Sequence, residues 1–288
     1  MRASAQALIN LSIPDVEQAY AERDAILYAL GVGVGGDPTS PAHLAYTYED
    51  GLKPLPSMAA VLGHPGFWPR DLDTGLDWAR IVHGEQTLQI HRPLPARGVV
   101  RSQSRIKGVR DKGEGKGAIV AYERTLTIDG RLAATVGQTL FCRGDGGIGS
   151  VGEEASAMTS TPDRPPEHSF ELQTLPQTAL IYRLSGDLNP LHADPKVALS
   201  IGFPKPILHG LATYGVAAFS LLTELDLPPE TLGRLDCRFK APVFPGERLA
   251  TDLWREQDRV HFQVRAVDRD LVVLSHGLAE FIHDPHQA

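Results

Sequence analysis

The sequence predicts an α+β fold built twice, and three observations carry that expectation. Apolar and polar residues alternate at period two in several runs, one long apolar run in the second half has the build of a buried helix, and matching segments recur in the same order at separations of 140 to 154 residues.

The alternation is clearest in the second half. In RLDCRFKA (234–241), Leu235, Cys237, Phe239 and Ala241 point one way and Asp236, Arg238 and Lys240 the other. In RVHFQVRA (259–266), Val260, Phe262, Val264 and Ala266 share a face. The first half repeats the pattern in AIVAYERTLTIDG (118–130), through Ala118, Val120, Tyr122, Leu126 and Ile128. Turn signals such as FPGE and VDRD lie between such runs, so they predict antiparallel strands with one solvated face. LHGLATYGVAAFSLLTEL (208–225) is apolar nearly all round and dotted with Gly and Ala. A helix of that composition is buried on most sides, and its small residues let a sheet come close.

The repeats run in order. ILYALGVG (26–33) lies against LIYRLSGD (180–187), pairing Tyr28 with Tyr182 and Leu30 with Leu184 at a separation of 154. KPLPSM (53–58) lies against KPILHG (205–210) at 152, Pro93 against Pro242 at 149, and VGQTLF (136–141) against HGLAEF (276–281) at 140. The falling separations place insertions in the first half, mostly in GVRDKGEGKGA (108–118). Residues 144–168 are rich in Gly, Ser, Thr and Pro without apolar period, the composition of a linker. The expected division is therefore 1–150 and 151–288, each a buried helix wrapped by a curved antiparallel sheet.

Composition narrows the function classes. With 288 residues, 42% hydrophobic and 22% charged, the chain is that of a folded protein. A net charge of −7 gives no electrostatic footprint for nucleic acid. Cys142 and Cys237 sit in apolar runs and are expected to be reduced and buried, with no disulfide framework and no metal-ligand spacing. No phosphate-binding Gly loop of the P-loop type is present, so no cofactor is implied. The opening MRASAQALINLSIPD lacks the build of a secretion signal, and the closing DPHQA is not a Ser-Lys-Leu address. No run approaches the roughly eighteen apolar residues of a membrane span. A cytoplasmic protein that uses no membrane is the expectation.

One stretch concentrates chemistry. YRLSGDLNPLHADP (182–195) brings Asp187, Asn189 and His192 into six positions bracketed by Gly and Pro. A polar turn and a catalytic site both fit. Asp194 followed by Pro195 suits a helix cap, which leaves Asp187, Asn189 and His192 without an evident local task. The first half places Gly33 opposite Asp187 and offers no Asn or His at the matching spacing, so the triplet is not required by the repeated fold. A carboxylate and an imidazole sharing one water can take a proton from it and deliver another to carbon, and Asn189 can orient either.

These residues, with GFPKPILHGLATYG (202–215), resemble the hydratase 2 motif of MaoC-like proteins. ERDAILYALGVGVG (22–35), VHGEQTLQIHRPLP (82–95) and DKGEGKGAIV (111–120) resemble the first half of the same family. The resemblance implies a double hot-dog fold and an enoyl-CoA hydratase 2, which adds water reversibly to a trans-2-enoyl-CoA to give the (3R)-3-hydroxyacyl-CoA. It implies Asp187 and His192 as the catalytic pair, supported by Asn189, with the backbone N–H of Gly210 polarising the thioester carbonyl. It also implies substrate contacts at His83, Gly84, Lys112 and Phe239. The loop reads DKGEGKG where the family more often has DKGKG, so Lys112 and Lys116 both stand as partners for a CoA phosphate. The first copy, free of catalytic groups, would house the acyl tail, with Met58, Val61 and Leu62 as candidate lining on its buried helix. Hot-dog proteins commonly pair, so a homodimer is expected. Rival readings keep the site and change the substrate, to 3-hydroxyacyl-ACP or to branched, dicarboxylic or steroid-derived CoA thioesters. Two others are a hot-dog thioesterase and a non-catalytic acyl-CoA-binding partner subunit; the intact Asp187–Asn189–His192 set argues against both.

Overall fold

The strands are β1 (Val16–Tyr20), β2 (Ile81–Ile90), β3 (Gly98–Asp111), β4 (Ala118–Ile128), β5 (Arg131–Cys142), β6 (Val151–Gly152), β7 (His168–Gln173), β8 (Leu232–Phe239), β9 (Arg248–Glu256), β10 (Arg259–Ala266) and β11 (Leu271–Phe281). The computed structural model describes residues 3–154, 157–257 and 259–282, so the DPHQA terminus lies outside the described residues. All eleven strands join one antiparallel sheet in the order β1-β3-β4-β5-β2-β8-β11-β10-β9-β7, with β6 added to β3. That order is its own mirror image when β1 is matched with β7, β2 with β8, β3 with β9, β4 with β10 and β5 with β11. The duplication read from the sequence is thus a property of the topology. The halves join where β2 pairs with β8. There Thr87 faces Asp236, a separation of 149 residues, the same as between Pro93 and Pro242. Each of the two is the repeat counterpart of the other.

The strand faces follow the alternation. Every second residue of β4 from Ala118 to Ile128 is buried, and so are Val260, Phe262, Val264 and Ala266 of β10. Several residues depart from it, His261 of β10 among them at 5% exposed. Arg124 takes an inward position on β4, and Asp236, expected on the wet face, is only 5% exposed. Asp236 is buried because its carboxylate pairs with Arg234 at 2.7 Å and because residues 157–159 form a wall of the cleft above it. The linker therefore lies across the outer face of the sheet. Its first part is also ordered by the first half, since Val151 and Gly152 pair with Val109 and Gly108, carrying that half past the 150/151 division.

The helices are α1 (Ala5–Ile9), α2 (Glu22–Gly31), α3 (Pro41–Thr47), α4 (Trp68–Asp71), α5 (Thr178–Tyr182), α6 (Pro195–Ser200) and α7 (Gly210–Glu224). The long buried helix is α7, whose residues from Ala212 to Leu222 are all buried. Gly215 is required where α7 passes the end of α2, because a Cβ there would lie 2.5 Å from Val32 Cγ1. Among the described residues the first half has no equivalent helix, and the expectation of one is corrected. Residues Pro56–Ala60 make a single 3-10 turn. Pro54 and Pro56 supply no N–H, and Gly63 at φ +58° turns the chain away, so an α-helical ladder has no room to propagate. Met58 lies buried on this turn, with Val61 and Leu62 just beyond it, and α7 packs against it.

One main core runs through both halves, and a second cluster gathers Leu8 of α1, Trp68, Ile106 and Tyr122. Both cysteines are free and buried, as expected. Among the described residues, no helix is long and apolar enough to cross a membrane.

Candidate active site

The hexapeptide is built from nested turns. Asp194 caps α6, accepting from the Lys196 N–H at 2.8 Å with Pro195 in the first helical position, as its sequence suggests. The expectation that Asp187 and Asn189 have no local task is corrected. Asp187 Oδ1 accepts from the Asn189 N–H at 3.1 Å, and Asn189 Oδ1 accepts from the Leu191 N–H at 3.0 Å to start the 3-10 turn Pro190–His192. Short acceptor side chains do this wherever the chain bends sharply two residues on. The Asn189 oxygen serves the turn, which leaves the two N–H groups of its amide as donors for a water or a carboxylate.

His192 is 9% exposed. Its Nδ1–H donates to the Ile207 carbonyl at 2.8 Å, and burial holds the imidazole below its ordinary pKa. A neutral ring with its proton on Nδ1 has its lone pair on Nε2. Asp187 lies beside it. A third group, which the sequence reasoning missed, completes the cluster: His209 donates Nε2–H to the Asp187 carbonyl at 3.1 Å and stacks on His192 with centroids 3.6 Å apart. Atoms of Asp187, His192 and His209 lie within 4.8 Å of one another. Burial, with His192 next, pushes His209 down to about 4. The two stacked rings, 26° from parallel, send their in-plane lone pairs side by side rather than to one point, and each has a nitrogen committed to a carbonyl. The set suits proton transfer better than metal ligation. The sequence signal for His209 is its place in the LHG tripeptide, directly before Gly210.

Two more imidazoles feel the charge of the same carboxylate. His83 donates Nε2–H to the Glu85 carbonyl at 3.1 Å, and burial pushes it down to about 4 against the pull of Asp187. His64 keeps accessible surface, yet the surrounding protein, with the charge of Arg124, pushes it down to about 3. The Asp187 carboxylate thus has His192 and His209 beside it, and its charge is felt also at His83 and His64.

Gly210 opens α7, directly after His209. As the first residue of a helix its N–H has no intrahelical acceptor, and none is recorded among the described residues. A Cβ at Gly210 would lie 2.9 Å from Phe239 Cε1, so the ring of Phe239 covers this helix start, and it meets His83 at 4.6 Å between centroids. Gly84 sits in a bulge of the β2–β5 register between His83 and Glu85. Lys112 touches none of the imidazoles. Its Nζ lies 5.7 Å from the Phe141 ring centroid, and Phe141 pairs with Val82, the neighbour of His83. Asp111 braces that loop by accepting from the N–H groups of Gly113, Gly147 and Gly149, and Lys116 gives its N–H to the Gly113 carbonyl.

The repeat isolates the site in one half. At the separation of 152, Ser57 and Met58 correspond to His209 and Gly210. Tyr28 donates its hydroxyl to Ser57 at 3.0 Å, whereas the ring of its counterpart Tyr182 leans on His209 at 4.9 Å. The first half has neither the imidazole nor the helix start.

Comparison with known proteins agrees in order and extent. Residues 18–144 match the family model described as the MFE-2 hydratase 2 N-terminal domain, and residues 157–276 the one described as the MaoC like domain. The chain is 41% identical to 3-hydroxyacyl-thioester dehydratase Y of Mycobacterium tuberculosis, over 91% of this chain and 93% of that protein. It is 34% identical to the peroxisomal enoyl-CoA hydratase 2 of Arabidopsis thaliana, over 93% and 92%. The crystal structure of a MaoC-like dehydratase from Phytophthora capsici superposes at a TM-score of 0.87 with 30% identity, over 97% of this chain and 99% of that one. The fold is the double hot-dog.

Proposed function

The chain belongs to the MaoC-like family of hydratases and dehydratases, a hydro-lyase by that membership, and on that premise we propose that it hydrates trans-2-enoyl-CoA reversibly to (3R)-3-hydroxyacyl-CoA through Asp187 and His192. The observation that carries the proposal is the convergence of Asp187 and His192 within 4.8 Å at the start of α7.

A water between the two side chains gives one proton to His192 Nε2 while its oxygen bonds to C3 of the enoyl group. The carbon–carbon π pair moves toward the thioester, and the Gly210 N–H, at the positive end of a 15-residue helix, faces the charge that collects on the thioester oxygen. The Asp187 carboxylate holds the second water hydrogen and steadies the imidazolium. Return of the proton from Nε2 to C2 completes the addition, so water is consumed and both groups are restored. The reverse sequence dehydrates a 3-hydroxyacyl thioester, the direction in which the Mycobacterium tuberculosis relative is named.

His83, Gly84 and Phe239 form the wall along which the thioester lies, Lys112 pairs with a CoA phosphate at the rim, and the first half houses the acyl chain in the space its 3-10 turn leaves. The test is hydration of crotonyl-CoA and longer enoyl-CoAs with the chirality of the product determined, alongside a measurement of released CoA. A (3R) product without CoA release is expected. A (3S) product, or CoA release in place of hydration, would overturn the reading.

A further inference from the structure

The seam between the halves is built differently at its two ends. β2 and β8 pair over five rungs, from Glu85–Arg238 to Gln89–Arg234. The separation of 149 residues exchanges these end rungs, since Arg234 is the counterpart of Glu85 and Arg238 that of Gln89. At the Gln89 end, among the described residues, no ion pair crosses the seam. Gln89 donates its amide to the Gly233 carbonyl at 2.9 Å, and Arg234 turns to Asp236 and Glu280 of its own half. At the Glu85 end an ion pair does cross. Arg238 donates from Nε at 3.0 Å and from Nη2 at 2.6 Å to Oε1 of Glu85. Oε2 accepts from the Thr139 hydroxyl on β5 at 3.3 Å. The repeated fold closes without such a pair at one end, so folding does not require it at the other.

The Glu85 end is also where the seam opens. Gly84 sits in the β2 bulge, and among the described residues β2 has no partner on β8 beyond Glu85. Just past the pair stand His83 on β2 and Phe239 on β8, whose rings meet at 4.6 Å, and Phe239 covers the start of α7 at Gly210. Glu85 holds His83 as well, its carbonyl accepting from Nε2–H at 3.1 Å. One residue thus ties β2, β5 and β8 together beside a wall to which each half contributes one ring. The Arg238 side chain is 44% exposed, and an ion pair so exposed adds little to stability. What it supplies here is a fixed distance between the halves.

Resting on the reading of His83 and Phe239 as the wall along which the thioester lies, we propose that Glu85 and Arg238 are positioning residues that set the spacing of the two halves at that wall. They thereby place the thioester against the Gly210 N–H, Asp187 and His192. Without the pair, β2 and β8 are free to part at this end of the seam. His83 and Phe239 then move with separate halves, and the thioester carbonyl is held less closely to the helix start. Such a misplacement falls on turnover more than on binding, because the ligand's other contacts are untouched.

The experiment measures kcat, KM and melting temperature for crotonyl-CoA hydration. It uses the wild type, Glu85→Gln, Arg238→Met, their double variant, Arg238→Lys, and Gln89→Ala at the opposite end of the seam. Glu85→Gln and Arg238→Met should each lower kcat by about tenfold, with KM changed by less than about twofold. The double variant should be no worse than either single one, since the two side chains act through one contact. Arg238→Lys keeps the charge and should keep more of kcat than Arg238→Met. Gln89→Ala should turn over like the wild type. If Arg238→Met fails to fold, Glu85→Gln, which keeps the shape of the side chain, decides. Unchanged kcat in the single variants, a rise in KM with kcat preserved, or an equal loss in Gln89→Ala overturns this inference alone. Failure of the wild type to hydrate crotonyl-CoA overturns the hydratase reading and this inference with it.

Discussion

The imidazoles of His192 and His209 are stacked at 3.6 Å and tied to the backbone through opposite nitrogens, Nδ1 of His192 to Ile207 O and Nε2 of His209 to Asp187 O. His209 therefore fixes both the ring beside it and the main chain that carries Asp187. It acts as a positioning residue. His209→Gln should lower kcat by roughly ten- to a hundredfold through misplacement of the pair. The KM for crotonyl-CoA and the melting temperature should change little. A rise in KM with kcat preserved would place His209 in substrate binding instead.

Asp187→Asn and His192→Gln remove the two ends of the proton path. Each should cost about 10²–10⁴-fold in kcat, with circular dichroism unchanged. Because the groups act as a unit, the double variant should be little worse than either single one. Wild-type turnover in Asp187→Asn would remove the assignment.

Two glycines of α7 separate catalysis from packing. In Gly210→Ala the new methyl meets Phe239 at 2.9 Å, at the helix start where the thioester oxygen is to sit. Alanine keeps the backbone N–H, so turnover should fall through displacement of the thioester oxygen, by up to about a hundredfold. In Gly215→Ala the methyl meets Val32 Cγ1 at 2.5 Å, away from that start. That variant should lose about 1–3 kcal/mol of stability from overpacking. Kinetics and denaturant melts on the pair should show the two losses falling on different variants.

On the proposed reading Lys112 pairs with a CoA phosphate in the same way before and during the reaction. Lys112→Ala should raise KM more than it lowers kcat, and the difference from wild type should shrink as salt rises. Lys116→Ala should have the smaller effect. The reverse ranking would assign the phosphate to Lys116.

The buried His192 and His209 and the half-buried His83, all held neutral, make stability depend on pH. Burial holds His83 and His209 at about 4 in the folded chain, against 6.5 for an ordinary imidazole. As pH falls below about 6.5 the unfolded chain takes up protons that the folded chain refuses, so folding loses up to about 1.4 kcal/mol per group per pH unit. The loss continues down to the folded values. Thermal melts should be level above about pH 7 and fall steadily toward about pH 4. A midpoint constant between pH 7 and 5 would show that these rings are not held neutral. The acid limb of kcat/KM should likewise lie below the ordinary imidazole range, since burial lowers His192.

The sheet was legible where side chains alternate, as in β4 and β10, because a strand's two faces are written in adjacent residues. The 3-10 turn was misjudged because KPLPSM aligns with KPILHG while its prolines and the following Gly63 forbid the helix that the alignment suggests. Asp236 was misjudged because its roof comes from residues 157–159, far away in the chain. Arg124 was passed over because its inward position broke the apolar pattern.

By itself, the order of residues determined the duplicated α+β plan, the face of each strand and the clustering of Asp187, Asn189 and His192, all of which depend on spacing within or between short segments. Tertiary structure alone decided which partners those residues meet. His209 reaches the Asp187 carbonyl from another segment, His83 and His64 feel its charge from two more, and only the folded chain leaves Arg124 enclosed with two donors open. The reason is physical: periodicity is a local property of the chain, whereas desolvation and charge pairing depend on what the fold brings alongside.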